Sequence, residues 1–376
     1  MRLLNAELNH FNPLPIIEES RSFYFINKYI DLFFMGGASV ICYFLFRFFH
    51  SAGQSSDVLK ASGLLVWICN WPHFSATNFR FYQSKLHIRE FPLTSWLIPL
   101  IVLAGVVGCF LSPNAFAPYF VKIYTIWSPY HFSGQTLGIT LIYARRTGFL
   151  IGKWERLALS TFIYGTFFSQ AIFSEVGQYP RLYYGISYPG LNLPAWLGTT
   201  SLAIMYLGAI FTAVFVIRWC IKQNRIVPLI LLTPIIAQYV WFIPGAYWSS
   251  FYVFVPAFHS LQYLLIAWAM QIRERAEAVK IQPSLNYVWN ESFRWGIINI
   301  IGGAMLFSYI PGAVVFLTGG SSEFVIGIII AGVQYHHFIV DGVIWKLKKK
   351  GGGSPLMMNL SEFLKPQKIE SEKAYV

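Results

Sequence analysis

The sequence predicts an all-α, polytopic integral membrane bundle of about ten transmembrane helices, and three observations predict it. Of 376 residues, 56% are hydrophobic and only 12% charged, where a soluble domain is about one-quarter charged. The apolar residues fall in runs of about twenty, long enough to cross roughly 30 Å of hydrocarbon at about 1.5 Å per helical residue. The basic residues collect at alternate ends of those runs. Backbone polar groups have no water to bond in lipid, so each run reads as a helix.

In chain order the expected spans cover 29–49, 60–82, 92–111, 117–144, 157–176, 195–217, 226–244, 248–272, 295–318 and 322–345. The first opens at Tyr29, and residues 1–28 form a cytoplasmic N-terminal segment. No cleavable signal peptide is expected there, because the first 27 residues mix Asn, Pro, Glu and Arg without a continuous apolar run. Four of the even-numbered spans end on basic residues, at Arg80, Arg145, Arg273 and Lys346. The seventh and ninth carry Pro228, Pro234, Pro244 and Pro311 and are the ones expected to break or re-enter. Between the fifth and sixth, Gly177–Pro194 is rich in Tyr, Gly and Pro and suits an aromatic cap at the interface or a plain connector. Residues 29–346 are thus the transmembrane domain and 347–376 a basic cytoplasmic tail. That tail begins with a Gly351-Gly352-Gly353 linker and holds one short helix near Leu360–Leu364.

Orientation follows from the charges. Of 28 Lys and Arg, 24 fall in the two tails and in the segments after spans two, four, six and eight. Arg47, Lys60, Lys122 and Arg181 alone fall on the other side. Positive loops stay cytoplasmic, which places both termini there, in a membrane such as the bacterial inner membrane, and requires an even number of spans. The same distribution turns the net charge of +12 away from nucleic acid and toward topology. Cys42, Cys69, Cys109 and Cys220 are widely spaced in or beside apolar runs, so neither a disulfide framework nor a zinc ribbon is expected.

Five of the eight histidines lie inside spans: His73, His131, His259, His336 and His337. All sit on helices running from outside to inside. Counted back from Arg80, Arg145, Arg273 and Lys346, they fall in one slab about 10–20 Å from the cytoplasmic boundary. Ionisable groups at that depth normally face the bundle interior and serve a site. Pro72, Pro129 and Pro256 precede three of them, and prolines there open the helix ladder. An amide or carboxylate lies about one turn from each of four: Asn70 for His73, Gln135 for His131, Gln262 for His259 and Asp341 for His337. Such partners fix the tautomer of metal-bound imidazoles.

The expected metal ligands are therefore His73, His131, His259, His336, His337 and Asp341, with Asn70, Gln135, Gln262 and Tyr130 around them. His336 and His337 point about 100° apart on a helix, so both ligate only at a wide or two-metal site. Trp67, Trp71, Tyr130, Phe132, Phe258, Tyr335 and Phe338 offer an aromatic lining for an acyl or polyene chain, or ordinary packing. Imidazoles with few carboxylates and no thiolate suit iron, copper or zinc, and iron is the first expectation for oxidation chemistry on lipophilic substrates. An electron-donor protein would be a partner, beside the bilayer and the substrate.

Helices carrying mid-membrane histidines resemble the polyhistidine iron enzymes of membranes: fatty acyl desaturases and hydroxylases, and bacterial beta-carotene dioxygenases of the Brp/Blh type. The resemblance is architectural; of the desaturase histidine boxes only the pair His336-His337 has a counterpart, and no residue roles carry over. It implies an oxidase or oxygenase. Two other readings remain open, a histidine-lined transporter or proton-coupled carrier and a bis-histidine haem protein. Phosphate loops, the Gly-x-Ser-x-Gly elbow and His-Glu-x-x-His are missing from the sequence.

Overall fold

A computed structural model describes residues 23–51, 60–61, 63–177, 180–280 and 284–344. The expected tail helix near Leu360–Leu364 lies outside the described residues. Ten helical rods carry the fold. They are α1 (Lys28–Phe49), α2 (Val66–Asn70 continuing as Trp71–Tyr82), α3 (Leu93–Leu111), α4 (Ala117–Arg146) and α5 (Lys153–Ser174). After them come α6 (Ala195–Gln223), α7 (Leu229–Phe242), α8 (Val255–Val279), α9 (Leu285–Thr318) and α10 (Ser322–Ile344).

Among the described residues, seven helices are long and apolar enough to cross a membrane, and α2, α4 and α8 are not among them. Those three carry His73, His131 and His259. Their hydropathy is diluted by the polar side chains they turn inward: 16 of the 25 residues of α8 are buried, Gln262, Gln271 and Arg273 among them. The bundle thus has an apolar envelope and a polar interior. α10 packs on α2, α3 and α4, α8 on α1, α2 and α9, and α7 on α1, α4 and α5.

Close backbone approach explains two further pairings, α9 on α2 and α5 on α6. In α9, a Cβ at Gly303 would stand 2.6 Å from the Trp71 carbonyl carbon. In the α5–α6 pair, a Cβ at Gly208 would stand 2.7 Å from the Phe162 nitrogen, and one at Gly165 would stand 2.7 Å from Met205 Cβ. Without a hydrophobic drive between helices in lipid, such small-residue contacts are the main source of packing energy.

α1, α2, α3 and α9 each contain a π-helical turn: Phe33–Gly37, Val66–Asn70, Leu93–Leu97 and Met305–Tyr309. A π turn inserts one residue and rotates everything after it by about 100°. In α2 it ends two residues before Pro72, whose missing N–H already weakens the ladder, and so sets the face on which His73 emerges.

Boundaries moved where polar turns extend a helix or prolines delay one. α9 begins at Leu285 rather than 295, capped by Ser284, whose side chain accepts from the Tyr287 N–H. Its first turns are polar and hydropathy does not count them. α8 begins at Val255 rather than 248, because Trp248–Phe254 is spent on a short helical turn, Ser249–Tyr252, ahead of Pro256. α7 stops at Phe242, just before Pro244. α9 runs on through Pro311, which takes the second position after its π turn.

The connection after α5 is a two-stranded hairpin, β1 (Arg181–Tyr183) and β2 (Ile186–Tyr188), turning at Tyr184-Gly185 with φ of 46° and 71°. Two positive φ values in succession match the twist of a tight hairpin. Ile186 packs with Cys109, Val121 and Ile328, so the hairpin is seated on α3, α4 and α10. Beneath it Lys122 pairs with Glu175, both nearly inaccessible, and Glu175 also accepts from the Leu191 N–H at 2.8 Å.

Candidate metal centre

Each histidine reaches the interior by a local device. His73 follows Pro72 and the π turn of α2. His131 lies two residues after Pro129, in the middle of α4. His259 sits in the second turn of α8, after Pro256. His337 occupies the buried face of α10, where burial recurs at Gln334, His337, Phe338 and Asp341.

The four imidazoles form a closed quadrilateral. Ring centroids are 5.0 Å apart for His73–His259, 5.1 Å for His259–His131, 5.0 Å for His131–His337 and 4.5 Å for His337–His73. Neighbouring rings are near perpendicular, with interplanar angles of 72° to 84°. One nitrogen from each ring lies within 4.8 Å of the others, and all four residues are buried. Four nitrogens about 2.1 Å from a common ion stand roughly 3–4 Å apart, so this set needs only a small contraction to hold one. The four-histidine group can hold a metal ion.

The walls are aromatic. Tyr263 stands 4.3 Å from His73, Phe132 4.3 Å from His259 and Phe338 4.8 Å from His131, centroid to centroid. The Nε2 atoms of His73 and His337 are 3.0 Å apart, which fits an N–H···N hydrogen bond as well as two ligands of one ion. Hydrogen bonding does not account for the rest. Among the described residues, His73 Nδ1, His131 Nε2, both nitrogens of His259 and His337 Nδ1 have no hydrogen-bond partner. Each such orphan in an apolar interior costs about 1–3 kcal/mol, and that cost is removed for every nitrogen that donates to a cation.

No protein-family model, curated protein or solved structure matches this chain. The centre is accordingly read from its own chemistry.

The remaining expected site residues divide. Asp341 Oδ2 is 3.6 Å from His131 Nε2, at the rim of the group, one helical turn from His337. His336 is turned away. It is only half-buried, its Nε2 is 3.0 Å from the Tyr82 hydroxyl, and the two rings stack at 5.9 Å. The 100° offset expected between adjacent histidines is what sends His336 to the outer face.

The amides expected to orient the imidazoles bond elsewhere. Gln135 Nε2 donates to the His259 backbone carbonyl at 2.9 Å and to Gln262 Oε1 at 3.3 Å. Gln262 donates in turn to the Met35 carbonyl at 2.8 Å, and Asn70 Oδ1 accepts from Ser260 at 3.0 Å. The π turn in α1 includes Met35, and backbone carbonyls loosened there recruit the nearest amide in lipid. The amides therefore fix helices rather than rings. Tyr130 is 43% exposed and lies beside Tyr164 at the bundle edge. Of the aromatic lining, Phe132 and Phe338 meet the imidazoles, while Trp67 is 46% exposed and Tyr335 donates to the Phe120 carbonyl.

Sequence reading missed Tyr263, although it lies four residues after His259 and so shares its face. It also missed Gln238, which donates to Ser133 at 2.8 Å and accepts from Thr136 at 3.0 Å, joining α7 to α4 directly beside His131. A lone amide in an apolar helix was the available signal. A cavity of about 520 Å³ reaches His131 and Asp341 from the side of Arg156 and Gly342, which leaves one edge of the group accessible.

Proposed function

We propose that this protein is a membrane-bound metalloenzyme, an oxidase or oxygenase of lipophilic substrates, with nonheme iron held by His73, His131, His259 and His337. The observation that carries the reading is the buried ring of four imidazoles, five of whose nitrogens have no hydrogen-bond partner among the described residues. Four neutral nitrogen donors without thiolate suit iron, copper or zinc. Iron is preferred because it supplies oxygen-dependent oxidation, and both dioxygen and apolar substrates concentrate in the bilayer.

This chain's own residues perform the rest. The four imidazoles hold the ion, and Asp341, beside His131, either completes the coordination or holds that ring's orientation. Tyr263, Phe132 and Phe338 exclude water. The cavity floored by His131 and Asp341 gives a substrate its approach. Both termini lie in the cytoplasm on this reading, and an electron-donor protein docks on that face, where Tyr82 stacks on His336, the sequence neighbour of His337.

A histidine-lined carrier is the second reading. It is favoured by a separate cavity of about 440 Å³ under the hairpin, lined by Phe132, Tyr188 and Glu175, which approaches the centre from the opposite end. The haem alternative is less compatible with rings packed at 4.5 to 5.1 Å, since a porphyrin must pass between its two axial imidazoles. Metal analysis of protein purified in mild detergent tests the assignment. About one iron per chain without a Soret band supports the enzyme. Metal-free protein supports the carrier, and a Soret band the haem.

A further inference from the structure

The cavity that reaches His131 adjoins a second recess. Its wall residues Trp127 and Tyr130 also line an apolar groove of about 380 Å³ with Ile123, Ile126, Phe167 and Phe168. Ile123, Tyr130 and Phe168 are 55%, 43% and 46% exposed, so the groove opens sideways between α4 and α5 toward lipid. Its two ends differ in kind. One is wholly apolar. At the other stands Arg156, in the first turns of α5, exposed and with no carboxylate partner among the described residues. Glu155, its neighbour, lines a different crevice with Phe149 and Thr212. The acid in the cavity itself is Asp341, at the floor beside His131.

We infer that these two adjoining recesses together bind a single-chain amphiphile with an anionic head, its head at Arg156 and its tail running past His131 into the apolar groove. The inference rests on the enzyme reading for its meaning and names the substrate class of that site. Charge fixes the polarity. A carboxylate is attracted to Arg156 and repelled by Asp341, and the strip between Trp127 and Phe168 offers an anion nothing. Ile142, a cavity residue near the Arg156 end, lies eleven positions beyond His131 on α4. That is about 16 Å of axial rise, the reach of an extended chain of roughly a dozen carbons, so the part of the ligand presented to the metal centre is mid-chain. Tyr164, whose ring lies 5.1 Å from that of Tyr130 and whose hydroxyl is in the field of Arg156, lines the passage between head and tail.

Binding of a spin-labelled sixteen-carbon carboxylic acid and of its methyl ester to the full chain in nanodiscs tests this. Arg156→Gln is expected to weaken the acid by roughly tenfold, the scale of one charge-assisted contact, and to leave the ester unchanged. Arg156→Lys is expected to restore most of the difference. Gly138→Trp fills the cavity from a position whose Cβ direction is open space, and is expected to abolish binding of both probes. His73→Ala, which removes a ligand that does not line the cavity, is expected to lose metal yet keep acid binding within about twofold. Acid and ester binding equally, or an acid affinity indifferent to Arg156 or Gly138, overturns the inference, as does absence of saturable binding. Metal-free wild-type protein that still binds the acid through Arg156 leaves the binding site standing and removes only the metalloenzyme reading.

Discussion

α6 and α10 are both apolar rods long enough to cross a bilayer, yet 11% of the most apolar window of α6 is buried and 61% of that of α10. Their mean hydropathies run the other way, 2.1 and 1.5. α6 lies along α5, burying Gly198, Met205 and Gly208 there, and presents Leu207, Ile210 and Phe211 outward. α10 buries Gln334, His337 and Asp341 among neighbours from α2, α3 and α4. Apolarity marks the helices that face lipid, while the helices that build the site are recognised by the polar groups they can afford to bury. Substitutions in the two rods should therefore differ in what they disturb.

The largest effect is expected at the centre. His131→Ala or His259→Ala should remove essentially all bound metal, measured per chain by elemental analysis, because each loses one of four donors. Metal content at the wild-type level in either variant would detach the quadrilateral from metal binding. Breaking the buried Lys122–Glu175 pair comes next. Lys122→Met leaves a carboxylate without its cation in the interior, at a cost of about 3–5 kcal/mol. Thermal unfolding in detergent should fall by many degrees while metal content at low temperature persists.

Asp341→Asn should lower metal affinity about 10–100-fold, the range typical of groups that hold a ligand's orientation, read by competition with a chelator. A neutral result would mean that the 3.6 Å approach to His131 is incidental. His336→Ala sharpens the contrast within one helix, since adjacent histidines should behave oppositely: metal content is expected to remain at the wild-type level. Smallest of all, Ile210→Leu on the lipid face of α6 should change stability by less than about 0.5 kcal/mol. A larger shift in detergent would show that α6 has a partner on that face.

Most of the fold was legible because lipid imposes a strict rule on each segment: the ten expected runs correspond to ten helical rods among the described residues, of which seven are long and apolar enough to cross a membrane and α2, α4 and α8 are not. That histidines of separate helices share one level was legible too, since counting residues back from Arg80, Arg145, Arg273 and Lys346 is a measurement of length. Azimuth was not. Whether His336 or His337 faces inward depends on helix rotation, and in α2 the π turn at Val66–Asn70 resets that rotation just upstream of His73. Nor could the amides be placed. Gln135 and Gln262 stand one turn from histidines, yet they bond the carbonyls of His259 and Met35, backbone groups of other helices, one of them in the π turn of α1. The hairpin at Arg181–Tyr188 was hidden for a further reason: its turn signal, Tyr184-Gly185, is weak and its strands are three residues long.

X-ray absorption on the purified protein at the edge of its bound metal tests the central claim most directly. The quadrilateral predicts a first shell of about four nitrogens near 2.0–2.2 Å with the outer-shell scattering of imidazole rings, falling to about three in His259→Ala if any metal is retained. A first shell of sulfur, or of oxygen without imidazole scattering, or a spectrum unchanged by His259→Ala, would contradict it.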